Sequence, residues 1–267
     1  MKRLAVGVAC SFLLMFQAVS QAETASLPPD LPPLEGAKAL SAEALERLES
    51  GQPGAARLRF EAVRSQRAAL PTPTPTPDYA PLSEDAKVIA ALAMAAFEQG
   101  DLATARLEFE KMRLLSPGHP MPLVNLGTIA FQSGRLDQSA ALFQQAIRAE
   151  PNSPEAWTLL GMVRVYQDQP DLALAALSQA VLLTPDNPKV HNYLGVAVGR
   201  KGWFDGAEAE LQQAITLDPK YADAQFNLAL IYLQRDPPNR ALAARHYQTA
   251  LKLGAPADPE VEKKLKE

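Results

Sequence analysis

The chain has 267 residues, 47% of them hydrophobic and 6% aromatic, with a formal net charge of −4. This suits a soluble, helix-compatible chain long enough for one or two globular domains. An acidic chain without a basic patch argues against nucleic acid as a partner.

Lys2 and Arg3 precede an apolar run from Leu4 to Val19, and Ser20-Gln21-Ala22 follow with small residues at the first and third places. A charged segment, an apolar segment and a small-residue site make residues 1–22 a signal peptide cut after Ala22. The competing reading is a membrane anchor, but the run is short for a span and no basic flank follows it. A lipid anchor through Cys10 is weaker still, because Cys10 lies inside the apolar run behind Gly7-Val8-Ala9. Cleavage takes the formal charge from −4 to −6 and removes Cys10, which leaves no thiol chemistry and no disulfide. The expected mature chain is exported, periplasmic or secreted, and has no membrane span.

Residues 23–36 form a proline-rich lead-in, with Leu27-Pro28-Pro29 and Leu31-Pro32-Pro33. Residues 37–70 read as a degenerate helical hairpin. Gly51, Ala56, Phe60 and Val63 suit a turn and a second helix, whereas Glu43-Ala44 fit a first helix poorly. Residues 71–82 are a Pro/Thr linker whose alternating prolines favour polyproline II, a semi-rigid spacer of about 3 Å per residue.

Residues 83–256 carry a pattern that returns every 34 residues. Pro117, Pro151, Pro185 and Pro219 close successive units, and Gly100, Gly134, Asp168 and Gly202 share one register at the turn between two helices. The second helices carry Ala105, Ser139, Ala173 and Ala207, then Phe109, Phe143, Leu177 and Leu211, then Met112, Ala146, Ala180 and Ala214. The first helices carry Leu92-Ala93, Leu126-Gly127, Leu160-Gly161, Leu194-Gly195 and, in a fifth copy, Leu228-Ala229. Small residues let helices approach closely while Leu and Phe fill the space beside them. Pro120, Pro154 and Pro188 open helices where a missing N–H costs nothing, with Ser153 and Asn187 as N-caps. In the fifth copy Asp236-Pro237-Pro238-Asn239 lengthen the turn, so Ala243, Tyr247 and Ala250 come two residues late. Residues 257–267 read as a capping helix started by Asp258-Pro259, with Val261 and Leu265 on one face and lysines toward the end.

This small–large–small pattern with a terminal proline resembles the tetratricopeptide repeat family over about residues 83–256. The resemblance implies an all-α fold, a right-handed α-solenoid of about five hairpins plus the degenerate N-terminal one. It also implies a non-enzymatic scaffold that binds a peptide or protein segment in the groove lined by its first helices. Counting from the packing positions, that groove carries Val124, Asn125, Thr128 and Phe131, then Thr158, Met162 and Tyr166. Further along it carries Asn192, Tyr193, Val196 and Arg200, then Phe226, Asn227 and Leu230. Asn can bond a peptide backbone, and Tyr, Phe and Met offer adaptable apolar contacts; the alternative is an ordinary concave surface with no ligand of its own. Tyr193 and Asn192 are expected to face that side or its edge, near Asn227 and Phe226, with Tyr193 and Asn227 of little consequence for stability. Some members of the family grip a C-terminal carboxylate with Lys, Asn and Arg. Asn125 fits the middle role, but Ala90, Met94, Glu155 and Leu159 stand where cations are needed, so that clamp is rejected.

No catalytic constellation, phosphate loop or cofactor motif is present in the sequence. The three histidines fall in different repeats without ligand spacing for a metal. His119 lies in a turn, His191 takes the packing register of Trp157, and His246 is expected at the surface or rim. Two functional readings follow. One is a scaffold that supports protein-complex assembly in the cell envelope through the groove. The other is an accessory or regulatory subunit of an envelope enzyme, in peptidoglycan or polysaccharide machinery, bound through the convex face. An unrecognised hydrolase ranks below both.

Overall fold

The computed structural model describes residues 79–267; the leader, the proline-rich lead-in, the 37–70 hairpin and the linker through residue 78 lie outside the described residues. The described residues form eleven α-helices and no strand. They fall into two compact units, one within Pro71–Pro185 and the other with Asp186–Glu267 as its described part.

The first unit holds α1 (Glu84–Glu98), α2 (Leu102–Leu115), α3 (Pro120–Gln132), α4 (Leu136–Ala149), α5 (Pro154–Tyr166) and α6 (Pro170–Leu183). The second holds α7 (Pro188–Arg200), α8 (Phe204–Leu217), α9 (Ala222–Gln234), α10 (Arg240–Lys252) and the short α11 (Pro259–Lys266). Helices pair as hairpins in chain order, α1 with α2, α3 with α4, α5 with α6, α7 with α8 and α9 with α10. The second helix of a pair then packs on the first helix of the next, as α2 does on α3, α4 on α5 and α8 on α9.

Local chemistry sets these boundaries. Ser83, Asp101, Ser153, Asn187 and Asn239 each accept a backbone N–H of the first turn, and Pro120, Pro154, Pro170 and Pro188 occupy first-turn positions. Each hairpin turn in this register needs one left-handed residue. Gly100, Gly134 and Gly202 supply it at φ 79°, 73° and 74°, and Asp168 does so at φ 57°.

The hairpin interiors are built from one small and one large residue facing each other. A Cβ placed on Gly127 would stand 2.7 Å from Phe143 Cε1, one on Gly195 2.7 Å from Leu211 Cγ, and one on Gly161 would collide with Leu177. Phe143, Leu177 and Leu211 are fully buried as a result. The lengthened turn of the last hairpin shifts its second helix as the residue pattern anticipates, since Ala243, Tyr247 and Ala250 are all buried. Asn239 N–H donates to Tyr232 O at 3.0 Å and closes that turn.

One packing expectation fails. Leu92 shares the register of the buried Leu126, Leu160, Leu194 and Leu228, yet it is 56% exposed. Leu126, Leu160 and Leu228 lie on first helices that pack on the second helix of the preceding hairpin, α3 on α2, α5 on α4 and α9 on α8. Among the described residues no helix precedes α1, so Leu92 and Val88, one turn earlier, have no such neighbour. Ala93, which faces α2 within its own hairpin, is fully buried.

Candidate functional site

In the first unit the groove candidates sit on α3 and α5. Three polar side chains turn back onto their own helices: Asn125 Nδ2 donates to Met121 O at 2.9 Å, Thr128 Oγ1 to Val124 O at 3.0 Å, and Thr158 Oγ1 to Pro154 O at 2.6 Å. Met162 and Val124 are buried. Phe131 and Tyr166, each half-buried near the end of its helix, meet edge-to-face with ring centroids 4.9 Å apart and planes at 77°. That geometry joins neighbouring first helices by a ring–ring contact and leaves part of each ring to solvent. Trp157 lies beside this face, where its indole N–H donates to Pro151 O at 2.7 Å and fixes the turn that leads into α5.

In the second unit α7 and α9 bring Asn192 and Asn227 together. Asn227 Nδ2 donates to Asn192 Oδ1 at 2.9 Å, with the two residues only 7% and 2% exposed. Asn192 also bonds the Tyr221 hydroxyl, whose pKa burial pushes up, with Tyr193 and the Asp223 carboxylate adding to the shift. Burial likewise raises the Tyr193 hydroxyl to about 12, with the Asp223 charge contributing. Both phenols therefore stay neutral at physiological pH. Val196 and Arg200 are buried as well. Phe226 and Leu230 pack with Ala229, Tyr247, Ala250 and Val261, in the core that ties α9 to α10 and α11.

The expectations that Asn192 stands open to the groove and that Asn227 matters little for stability are therefore corrected. The two first helices approach closely enough for an amide–amide bond, and buried amides need such partners. Removing one side would leave the other unsatisfied. Groove register alone gave no sign of this pairing; two Asn residues 35 apart, one beyond the repeat length, were the available signal.

The histidines are structural too. His119 Nδ1 accepts the Met121 N–H at the start of α3, and its ring lies 4.5 Å from that of Tyr79. Burial lowers its pKa, and the Glu150 charge opposes that shift. His191 is fully buried with Nδ1 2.6 Å from Glu210 Oε2. His246 is half-buried rather than free at the surface: Nδ1 lies 2.7 Å from Gln225 Oε1, and the ring stacks on Tyr232 at 5.6 Å. The pairs His191–Glu210 and Gln225–His246 share one register once the two-residue insertion is allowed for. The preceding hairpins place Leu123 and Leu142, then Trp157 and Ala176, at those positions.

Among the described residues no group of three or more His, Cys, Asp or Glu is placed to hold a metal ion. No described helix is long and apolar enough to cross a membrane.

Comparison with known proteins agrees with the hairpin geometry. Tetratricopeptide repeat profiles match residues 96–163 and 158–202, and a TPR repeat profile matches residues 200–235. No curated protein sequence matches the chain. Among solved structures, MamA from Desulfovibrio magneticus RS-1 is similar at TM-score 0.57 and 21% identity, covering 65% of this chain and 97% of that one. YrrB, described as a TPR protein with an unusual peptide-binding site, is similar at TM-score 0.54 and 23% identity, covering 68% and 92%. TTC0263, a thermophilic TPR protein of Thermus thermophilus, is similar at TM-score 0.55 and 21% identity, covering 68% and 97%. At these identities the likeness is one of fold.

Proposed function

Given that the chain belongs to the tetratricopeptide repeat family, we propose that it is an exported, non-catalytic scaffold that holds a peptide or protein segment on its first helices and supports complex assembly in the cell envelope. The observation that carries this reading is the Phe131–Tyr166 pair on adjacent first helices. Two partly exposed rings fixed against each other give a rigid apolar contact with little side-chain entropy left to lose. Asn125 stands on the same helix as Phe131, and its amide carbonyl can accept a backbone N–H. YrrB, a protein of the same fold, carries a peptide-binding site of its own, and this use of the scaffold supports the reading.

Alanine at both Phe131 and Tyr166 should weaken binding of a captured partner by about 2 kcal/mol, roughly thirtyfold, if the pair is a hot spot. The direct experiment is affinity capture from envelope extracts with the mature chain and with the double variant, followed by mass spectrometry and calorimetry on the enriched protein. Equal capture by both, with the helical fold retained, would reject the groove reading.

A specific observation keeps the accessory-subunit reading in play. Leu107 and Leu114, seven residues apart on α2, are 54% and 76% exposed on the side opposite the buried Ala105, Phe109 and Met112. An apolar stripe on a second helix suits a partner bound to the outer surface.

Export rests on Lys2, Arg3 and the apolar run that follows. The mature N-terminus should be Glu23. Terminal sequencing of protein from the exported fraction checks this, and a chain still beginning at Met1 contradicts it.

A further inference from the structure

The last hairpin contains a polar network that the scaffold reading does not use. On α10, His246 lies against Gln225 and Tyr232 of α9. Tyr232 donates its hydroxyl to Glu208 of α8 at 2.7 Å. Arg235, at the end of α9, spans Glu208 at 2.6 Å and Asp205 at 2.8 Å. Glu208 is thus engaged by both Tyr232 and Arg235. On its own helix His246 neighbours the cationic Arg245. At the start of α11, the capping Asp258 and the helical Glu262 bear on Tyr247, the residue after His246.

We propose that the hairpin of α9 and α10, with its cap α11, is an acid-sensitive element in which protonation of His246 favours release of α10 from α9. The neutral ring suits the folded site. Its contact with Gln225 needs one ring proton, and it stacks on the Tyr232 ring, which the Arg235 guanidinium already approaches at 5.9 Å from the centroid. A second proton would charge a half-buried ring beside Arg245, while the nearby Glu208 carboxylate is already held by Arg235. Opening the hairpin hydrates the imidazolium and relieves both costs.

The direction of titration agrees with this geometry. Burial lowers the His246 pKa from its ordinary value of 6.5, Arg245 lowers it further, and Glu208 opposes them. A depressed folded-state pKa means that this contribution is fully present above the unfolded value and is lost as pH falls below it. The sensitive window therefore opens below about pH 6.5. The device is local because the cap that closes this end is only the eight residues of α11, with Val261 as its buried residue.

Hydrogen exchange on the full chain tests this without any ligand. After correction for intrinsic rates, peptides from α9 and α10 should exchange about threefold or more faster near pH 5 than near pH 7. In His246→Gln, and in His246→Phe, that difference should disappear. The same acid effect in both variants, or no effect in the parent chain, would overturn the proposal. If either variant folds poorly, an NMR titration of the His246 ring in the parent decides: a value below 6.5 is expected, and a value at or above 6.5 contradicts it.

Discussion

Replacing Phe143 with alanine should lower the unfolding free energy by about 3–5 kcal/mol, because it removes the largest group filling the interior of the second hairpin. Phe143 is fully buried, and its ring lies over Gly127, where no side chain can move in to fill the space. The backbone of α3 already sits close to α4: Ser139 Oγ donates to Gly127 O at 2.8 Å. That bond resists the collapse that would shrink the cavity, which places the effect toward the upper end. Stability in a repeat array passes between neighbouring hairpins, so the loss should also loosen the contact of α4 with α5. Chemical denaturation followed by circular dichroism measures the effect, and a change below about 1 kcal/mol would mean that Phe143 does not seat against Gly127 as described.

The second large effect is expected from Gly161→Leu. In a helix interior, glycine to leucine taken alone favours folding by somewhat under 1 kcal/mol. At this site even a Cβ collides with Leu177, so the new side chain must push α5 away from α6. Overpacking should dominate, with a net loss of about 3 kcal/mol or more. The compensating exchange separates the two causes. Adding Leu177→Ala to Gly161→Leu should recover part of the loss, because it returns volume to the same interface. If the double variant is no more stable than Gly161→Leu, a cause other than the Gly161–Leu177 contact is responsible.

These two predictions rest on what the sequence made legible. The register of closing prolines, left-handed turn residues and small–large pairs located the hairpins, because a 34-residue unit must repeat the same close approach each time. Asp168 in a glycine position was readable for the same reason, whereas Pro170 as a helix opener was not, because Leu102, Leu136 and Phe204 stand at its place in the other units. What stayed hidden depends on neighbours that one repeat does not encode. Leu92 has the residue type of a packed position, but its burial requires a preceding second helix. The faces of Asn192 and Asn227 follow from how close α7 comes to α9, which periodicity does not report. His246 looked peripheral because its partners, Gln225 and Tyr232, lie 21 and 14 residues back, across the lengthened turn. The candidate groove is therefore two different surfaces. The one on α3 and α5 carries a partly exposed aromatic pair, and the one on α7 and α9 is largely closed by its own side chains.

The central claim is that the first-helix face of α3 and α5 is where this protein holds a partner. A photo-crosslinking residue placed at position 131 or 166 in the full-length protein tests it most directly, with the same residue at position 107 or 114 as the comparison. Crosslinks to the same partner protein from positions 131 and 166, and none from 107 and 114, are the predicted result; crosslinks confined to 107 and 114 would contradict it.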